Sequence, residues 1–428
     1  MDALRIACLP AKSVIHASTM AWEARMTNQH GLAIPGAADL KSDLSLVEKR
    51  KVLMVDNING FKDSFDKFNV EILEGEGRFL EPKVIQVSNG RRLTADTIII
   101  STGSRAFIDP SIPGLVASSP MTHVELLDNE VLPSHLIVIG GGYVGLEFAQ
   151  AYCRFGAKVT VVQRQQQVLV KEDKDVVDAL VSVMESEGVC FLMNTEVKSV
   201  EGKCGDIVTL TVESNGKSTR LQGSHILVSA GRLPNTEELD LAKAGIKATS
   251  SGHVVVNDQL QTVVDGVYAS GDCANSPYFT HMGWDDHRVI LSHILGHPRR
   301  AGTVGRLVPS VLFTSPEVAQ VGLREKEAKA AGIDYRLVTA PMASTFLRTH
   351  TLGTHALSGF AKALVAKDSD KILGFTALGV NAGELLAVIT LAMQQNLDYQ
   401  VIEDLIITHP TLNEGLALLF MSVPPSTG

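Results

Sequence analysis

Three glycines, Gly140, Gly142 and Gly145, stand in the run Gly140-Gly141-Gly142-Tyr143-Val144-Gly145, directly after the apolar residues Ile137-Val138-Ile139. At this spacing the first glycine permits a tight turn, the second lets backbone approach a pyrophosphate, and the third lets a helix pack close to a strand. The start of that helix then favours the phosphate charge. A glycine turn of this form also occurs as a purely structural feature. Here it follows a strand, opens a helix and is completed by a second strand, Lys158 to Val162, so the expectation is a βαβ unit that binds a dinucleotide. The residue that ends the second strand discriminates between nicotinamide cofactors. An acid there holds the ribose 2′-hydroxyl of NAD, whereas this chain has Gln163 followed by Arg164. With no carboxylate to repel a 2′-phosphate and an arginine to pair with it, NADPH is favoured over NADH, although Arg164 as a solvated surface charge is also consistent.

Further residues could do redox or proton chemistry. Cys8 opens the stretch Cys8-Leu9-Pro10-Ala11-Lys12 and is followed by a helix-like run from Ser13 to Ala24. A thiol at a helix start with a lysine one turn on is a candidate reactive thiolate; taken alone, an inert cysteine is the other reading. Near the other end, His409-Pro410-Thr411-Leu412-Asn413-Glu414 puts a carboxylate about one turn beyond an imidazole, with Pro410 as a helix start. That is an acid–base pair or, equally, an interface histidine. Asp272 ends Val267-Tyr268-Ala269-Ser270-Gly271-Asp272, where a carboxylate can accept hydrogen bonds from sugar hydroxyls. The buried run Thr97-Ile98-Ile99-Ile100 leads into Ser101-Thr102-Gly103-Ser104, small residues that let backbone approach a ligand.

The elements that must position these groups follow from pattern. Val70 to Ile100 reads as a β-meander with a turn at Asn89-Gly90, and Pro110, Pro113 and Gly114 mark a linker. Leu136 to Asn235 opens as a parallel-sheet unit, and after about Arg306 a strand-and-helix mixture indicates a third domain. The 428 residues, 45% hydrophobic and 20% charged, suffice for two or three domains with substantial cores. A net charge of -9 with scattered lysines and arginines argues against nucleic acid as partner. The absence of a long apolar stretch argues against a membrane span, and Met1 to Cys8 lacks a secretory pattern, so a cytoplasmic protein is expected. Five cysteines without a CxxC pair suggest neither a disulfide framework nor a metal site.

Taken in order, Cys8 to Lys12, Thr102-Gly103-Ser104, Gly140 to Glu147, Ala230-Gly231-Arg232-Leu233-Pro234-Asn235, Gly266 to Asp272, Phe313-Thr314-Ser315-Pro316-Glu317 and His409 to Glu414 resemble the flavin-dependent pyridine nucleotide–disulfide oxidoreductases. That family includes dihydrolipoamide dehydrogenase, glutathione reductase and mercuric reductase. Trp284-Asp285-Asp286-His287-Arg288 is most similar to a bacterial branch related to mercuric reductase and to reductases of oxidant defence. The resemblance implies an α/β fold with two nested Rossmann-like nucleotide-binding domains and an α+β C-terminal dimerisation domain. Its boundaries would be 1–115 with 236–305 for FAD, 116–235 for NAD(P) and 306–428 for dimerisation.

It also implies roles. Cys8 falls on the flavin-side redox cysteine, Lys12 on the lysine near the flavin ring, and Glu147 on its ion-pair partner. Tyr143 falls on the aromatic gate over the nicotinamide, and Gly231 and Arg232 fall among the cofactor-binding residues. Asp272 falls on the aspartate that holds the FAD ribityl and pyrophosphate region. His409 and Glu414 fall on an acid–base pair completed across a homodimer. The electron acceptor would be a disulfide or another small oxidised molecule.

Departures are also legible. The partner of the redox cysteine falls at Ala3, so that disulfide cannot form, and the family's first FAD-binding strand, glycine turn and helix are not found ahead of Cys8. The FAD domain is therefore expected to be incomplete, with weakened flavin binding, and the chain to be a shortened form. Met421 to Gly428 lacks the cysteine pair through which mercuric reductases receive metal, so mercury is not the expected substrate. Two alternatives accompany the oxidoreductase reading: a diaphorase or transhydrogenase-like flavoprotein using Cys8 alone, and a non-catalytic, dimeric NADPH-binding relic.

Overall fold

In a computed structural model the chain is a mixed α/β protein, with residues 6–58, 65, 67–297 and 300–426 described. It divides into two compact units. Ala3 lies outside the described residues.

The first unit comprises Met1–Cys8, Leu53–Phe107 and Gly231–Val308. The expected meander is present as strands Gly77–Glu81, Val84–Val87 and Arg92–Thr94, paired antiparallel in chain order with Gly90 at φ 89° in the second turn. Strand Ile98–Ile100 pairs in parallel with Val267–Ala269. Ile98 and Ile100 point into a core with Phe79, Val267 and Ala269, while Ile99 on the opposite face is half exposed, the period-2 alternation of a strand covered on one side. Each strand of this pair runs straight into one of the small-residue segments singled out above, so the pairing brings Ser101 to Ser104 beside Ser270 to Asp272. Helix Thr280–Ile294 closes the unit.

The second unit comprises Leu9–Val52, Ile108–Ala230 and Pro309–Gly428. Its centre is a four-stranded parallel sheet in the order His225–Val228, His135–Ile139, Lys158–Val162, Val189–Leu192. His135–Ile139 is buried along its whole length, as an inner strand covered on both faces must be. The crossover helix is Tyr143–Phe155, which begins inside the glycine run because Gly142, at φ −88° and ψ −172°, serves as its N-cap. Gly156 ends it in the left-handed conformation. A three-stranded antiparallel sheet, Thr195–Gly202, Val208–Ser214 and Lys217–Gly223, packs against the parallel one through Val208, Leu210 and Ile137. The C-terminal part is a five-stranded antiparallel sheet with helices, the α+β arrangement expected after Arg306.

The long N-terminal helix, Cys8–Arg25, extends the Ser13–Ala24 expectation by a turn at its start, and its Ala11 and Val14 join the core of Phe148, Tyr152 and Leu180. Among the described residues no helix is long and apolar enough to cross a membrane.

Candidate active site

The glycine turn has the geometry its spacing implies. Gly140 lies at φ 106°, and a side chain there would meet the Ser229 carbonyl at 2.7 Å. A methyl on Gly145 would run into the Gly140 carbonyl oxygen, so this glycine sets the distance between helix and strand. Gly142 differs: nothing lies within 4 Å of where its Cβ would be, and as N-cap it offers no side chain to the first helical N–H groups. Closed packing at Gly140 and Gly145 with open space at Gly142 fits a pyrophosphate drawn up to a helix N-terminus.

The loop after the second strand is fastened onto this turn. Gln163 is buried, its Oε1 accepts from the Gly141 N–H at 3.2 Å, and its Nε2 donates to the Gln167 carbonyl at 2.9 Å. The Leu169 N–H donates to the Gly141 carbonyl at 2.9 Å. Gln163, expected at the ribose, instead spends its amide inside the turn. Arg164 beside it is exposed, and after hydrogen bonds from Ser111 it is a smaller contributor to holding the Asp109 carboxyl below its ordinary range.

Lys12 and Glu147 meet as expected. Lys12 Nζ is 2.7 Å from Glu147 Oε2, and the Glu147 side chain is only 6% exposed. Glu147 Oε1 accepts from the Phe313 N–H at 3.0 Å, and the Lys12 ammonium lies 4.5 Å from the centre of the Phe313 ring. The ammonium is therefore held between a carboxylate and an aromatic face with about a third of its side chain exposed. The Cys8 thiol is exposed, and its Sγ lies 3.1 Å from Thr280 Oγ1.

In the first unit, Asp272 follows Gly271, which is at φ 67°, and its Oδ2 takes a short hydrogen bond from Ser104. Arg232 donates from Nε to Ser104 Oγ and from Nη2 to the Ser104 carbonyl, both at 2.7 Å. Asn235 ties down the preceding residues, its N–H donating to the Gly103 carbonyl and its Nδ2 to the Thr102 carbonyl. Thr102 Oγ1 is buried with no hydrogen-bond partner, and no atom lies within 4 Å of where a Cβ would stand on Gly103, Gly231 or Gly271. A carboxylate at the end of a strand among three uncrowded glycines is a cradle suited to a sugar–phosphate chain.

His409 and Glu414 are also joined: Nδ1 is 2.9 and 3.0 Å from the two carboxylate oxygens. Here the local structure differs from expectation, since Pro410 lies outside the helix, which begins at Glu414. The imidazole side chain is 66% exposed.

Several residues that hold these groups had not been singled out. Gln150 and Arg154 share the Glu147 face of the glycine helix. Gln150 exchanges hydrogen bonds of 2.8 Å with the backbone of Ser315, and Arg154 forms a buried ion pair of 2.6 Å with Glu187. Their spacing, i, i+3 and i+7 from Glu147, is a polar stripe on an otherwise apolar helix and was legible in principle. Asp286, fully buried, accepts from the Gly271 N–H and from Ser276 Oγ, each at 2.7 Å, and pairs with Arg306 at 2.6 Å, so it fixes the turn that carries Asp272. Among the described residues one carboxylate cluster, Asp173, Asp175 and Glu325, has the spacing of a cation site. The Lys362 ammonium occupies it at 2.9–3.0 Å; burial opposes its charge, but the three carboxylates hold its pKa above the ordinary lysine value.

Comparison with known proteins gives the same picture. Residues 6–286 match the model of the pyridine nucleotide-disulphide oxidoreductases, and residues 308–419 match that family's dimerisation domain. The chain belongs to this family. Dihydrolipoyl dehydrogenase of Geobacillus stearothermophilus is 32% identical over 415 residues, 96% of this chain and 86% of the relative. Mercuric reductase of Staphylococcus aureus is 30% identical over 97% of this chain and 74% of its own length. The solved structure of the HOCl-induced flavoprotein disulfide reductase RclA from Escherichia coli superposes with a TM-score of 0.87 at 27% identity, covering 99% of this chain and 91% of that one. The α/β architecture with Rossmann-like nucleotide-binding regions and a C-terminal dimerisation domain is thus the family's own.

Proposed function

We propose that this chain is an FAD-dependent NAD(P)H oxidoreductase that delivers reducing equivalents to a disulfide or another small oxidised acceptor. The observation that carries the reading is the Lys12–Glu147–Phe313 arrangement on the glycine-turn helix: a buried carboxylate spent on presenting one partly open ammonium. Thr102, Gly103, Ser104, Gly231, Arg232, Gly271 and Asp272 would hold FAD, and Gly140, Gly142, Tyr143 and Gly145 would hold the dinucleotide. Bound FAD supplies two-electron acceptance from a nicotinamide and onward transfer to sulfur.

The chain's own residues do the rest. Lys12, oriented by Glu147, would offer a fixed positive charge to the bound cofactor. Glu414 takes the Nδ1–H of His409, which leaves Nε2 as the nitrogen that accepts and returns a proton. The exposure of that imidazole in one protomer suits a site completed in a homodimer, for which the dimerisation domain is present. Cys8 as thiolate would attack one sulfur of a substrate disulfide, forming a mixed disulfide and releasing the other half as a thiolate.

NADPH is the preferred reductant in this reading. With Gln163 turned into the glycine turn, Arg164 is the side chain next to it left at the surface, and the strand end itself carries no carboxylate to repel a 2′-phosphate. The ordered catalytic set from Cys8 to Glu414 supports an enzyme over a binding relic. The deciding experiment is the visible spectrum of the purified protein. An oxidised-flavin spectrum that bleaches anaerobically with NADPH is expected, and a colourless protein that cannot be loaded with FAD would overturn the proposal.

A further inference from the structure

The stretch from Gln163 to Asp173, between the second strand of the parallel sheet and helix Lys174–Ser186, has no regular secondary structure, yet it is tied at both ends. At one end it lies against the glycine turn. Besides the bonds of Gln163 and Leu169 to Gly141, a methyl on Gly141 would run into Val168, which is fully buried. Leu169 is held at φ 46°, in the left-handed region that leucine rarely adopts, with its side chain buried and its carbonyl accepting the Glu172 N–H at 2.7 Å. Such a conformation is costly and persists only where the surroundings impose it.

The other end is tied to the C-terminal part of the same unit. Lys326 Nζ donates to the Val170 and Glu172 carbonyls at 2.6 and 2.9 Å, and Arg324 pairs with the Glu172 carboxylate at 2.8 and 2.9 Å. Asp173 completes the row. Its carboxylate accepts the first two N–H groups of helix Glu325–Ala331 at 3.1 and 3.0 Å and meets Lys362 Nζ at 3.0 Å. The start of that helix is thus satisfied by a residue 152 positions earlier in the chain. Burial opposes the charge of Asp173, but those N–H groups and Lys362 hold its carboxyl below the ordinary range.

We propose that Lys326 and Asp173 are positioning residues for the nicotinamide nucleotide: they hold residues 163–173 in their strained form against Gly141, so the C-terminal part of the unit sets the affinity of the glycine turn. The inference rests on the reading of Gly140 to Gly145 as the dinucleotide site. Freed from these anchors, the stretch would let Leu169 leave the left-handed region, and nucleotide binding would have to restore it. A binding-competent form that is populated only in part lowers the apparent affinity by that fraction. The cost of one such residue corresponds to at least about fivefold in a dissociation constant.

The test is calorimetric titration of the FAD-loaded protein with NADP+ and with NAD+, beside steady-state kinetics and thermal unfolding. Lys326→Met should weaken binding of the preferred nucleotide at least about fivefold and raise the KM for NADPH with little change in kcat. Asp173→Asn should weaken binding in the same direction, and Lys326→Arg, which keeps a cationic donor, should restore most of the affinity. Lys371→Met is the control, because it removes a lysine bond to the Asn396 carbonyl elsewhere in the C-terminal part. It should leave nucleotide affinity at the wild-type value however far the melting temperature falls. Wild-type affinity in both Lys326→Met and Asp173→Asn overturns the inference, as does equal weakening by Lys371→Met, which would mark a general loss of stability. Wild-type protein that binds neither nucleotide overturns the reading of the glycine turn itself, which keeps the two failures apart.

Discussion

Replacing Gly142 by alanine sets two structural consequences against one chemical one. At φ −88° and ψ −172° the backbone of Gly142 is in a region open to any residue, and its Cβ position is clear of other atoms to 4 Å. Alanine there removes unfolded-chain entropy, a gain of about 0.4–1 kcal/mol. Alanine is also a poorer N-cap than glycine, a loss of about 0.5–1 kcal/mol. The two nearly offset, so global stability should change by less than about 1 kcal/mol. The new methyl, however, stands in the space through which a pyrophosphate would reach the free N–H groups of the helix. Losing one or two of those charge-assisted hydrogen bonds, at about 1.5–3 kcal/mol each, should weaken nicotinamide nucleotide binding at least about tenfold.

Gly145→Ala is the internal contrast. Its methyl runs into the Gly140 carbonyl, so it should cost about 1–3 kcal/mol of stability whatever the ligand does. The assays are thermal unfolding and nucleotide titration on both variants. Gly142→Ala protein that melts like wild type and binds NADP+ with wild-type affinity would refute the assignment of Gly142 as the face of approach.

Three further outcomes follow from the same geometry. Arg164→Ala should raise the KM for NADPH about 10- to 150-fold, the loss expected for one charge-assisted phosphate contact, and leave the KM for NADH nearly unchanged; equal effects on the two would remove Arg164 from the specificity determinants. Cys8→Ser should keep the flavin spectrum and its bleaching by NADPH while abolishing disulfide reduction, and thiol trapping after brief peroxide treatment should label Cys8 in the wild type; an unreactive Cys8 would leave only a diaphorase activity. The raised pKa of Tyr143 has a sign that alkaline unfolding can read. The folded-state value of about 12 lies above the ordinary value of 10.0, so the stability contribution is fully present below pH 10 and is lost as pH rises through about 12. Ser310, Glu172 and Arg324 face that phenol, and the difference in stability between wild type and Tyr143→Phe should shrink over this window; a pH-independent difference would show that the phenol is not ionising against burial.

Much of this protein was determined by its sequence alone. The glycine turn between an apolar strand and a helix, the meander around Asn89-Gly90 and the α+β C-terminal part were all legible, because each is specified by local spacing: a period of two, a period of 3.6, and glycines where a side chain would collide. The pair Lys12–Glu147 was reached only through resemblance to the family, because its members stand 135 residues apart, whereas His409–Glu414 was already legible as a candidate acid–base pair from its one-turn spacing. What only the tertiary structure decided is where polar groups turn once the chain has closed on itself. Gln163 satisfies the buried Gly141 N–H rather than facing outward, Asp286 reaches back to fix the turn of Asp272, and Glu172 meets both Tyr143 and Arg324, the latter 152 residues away along the chain. The physical reason is common to all three. A buried donor or charge must find a partner, and the nearest partner is set by how distant segments pack rather than by the spacing of residues along the chain.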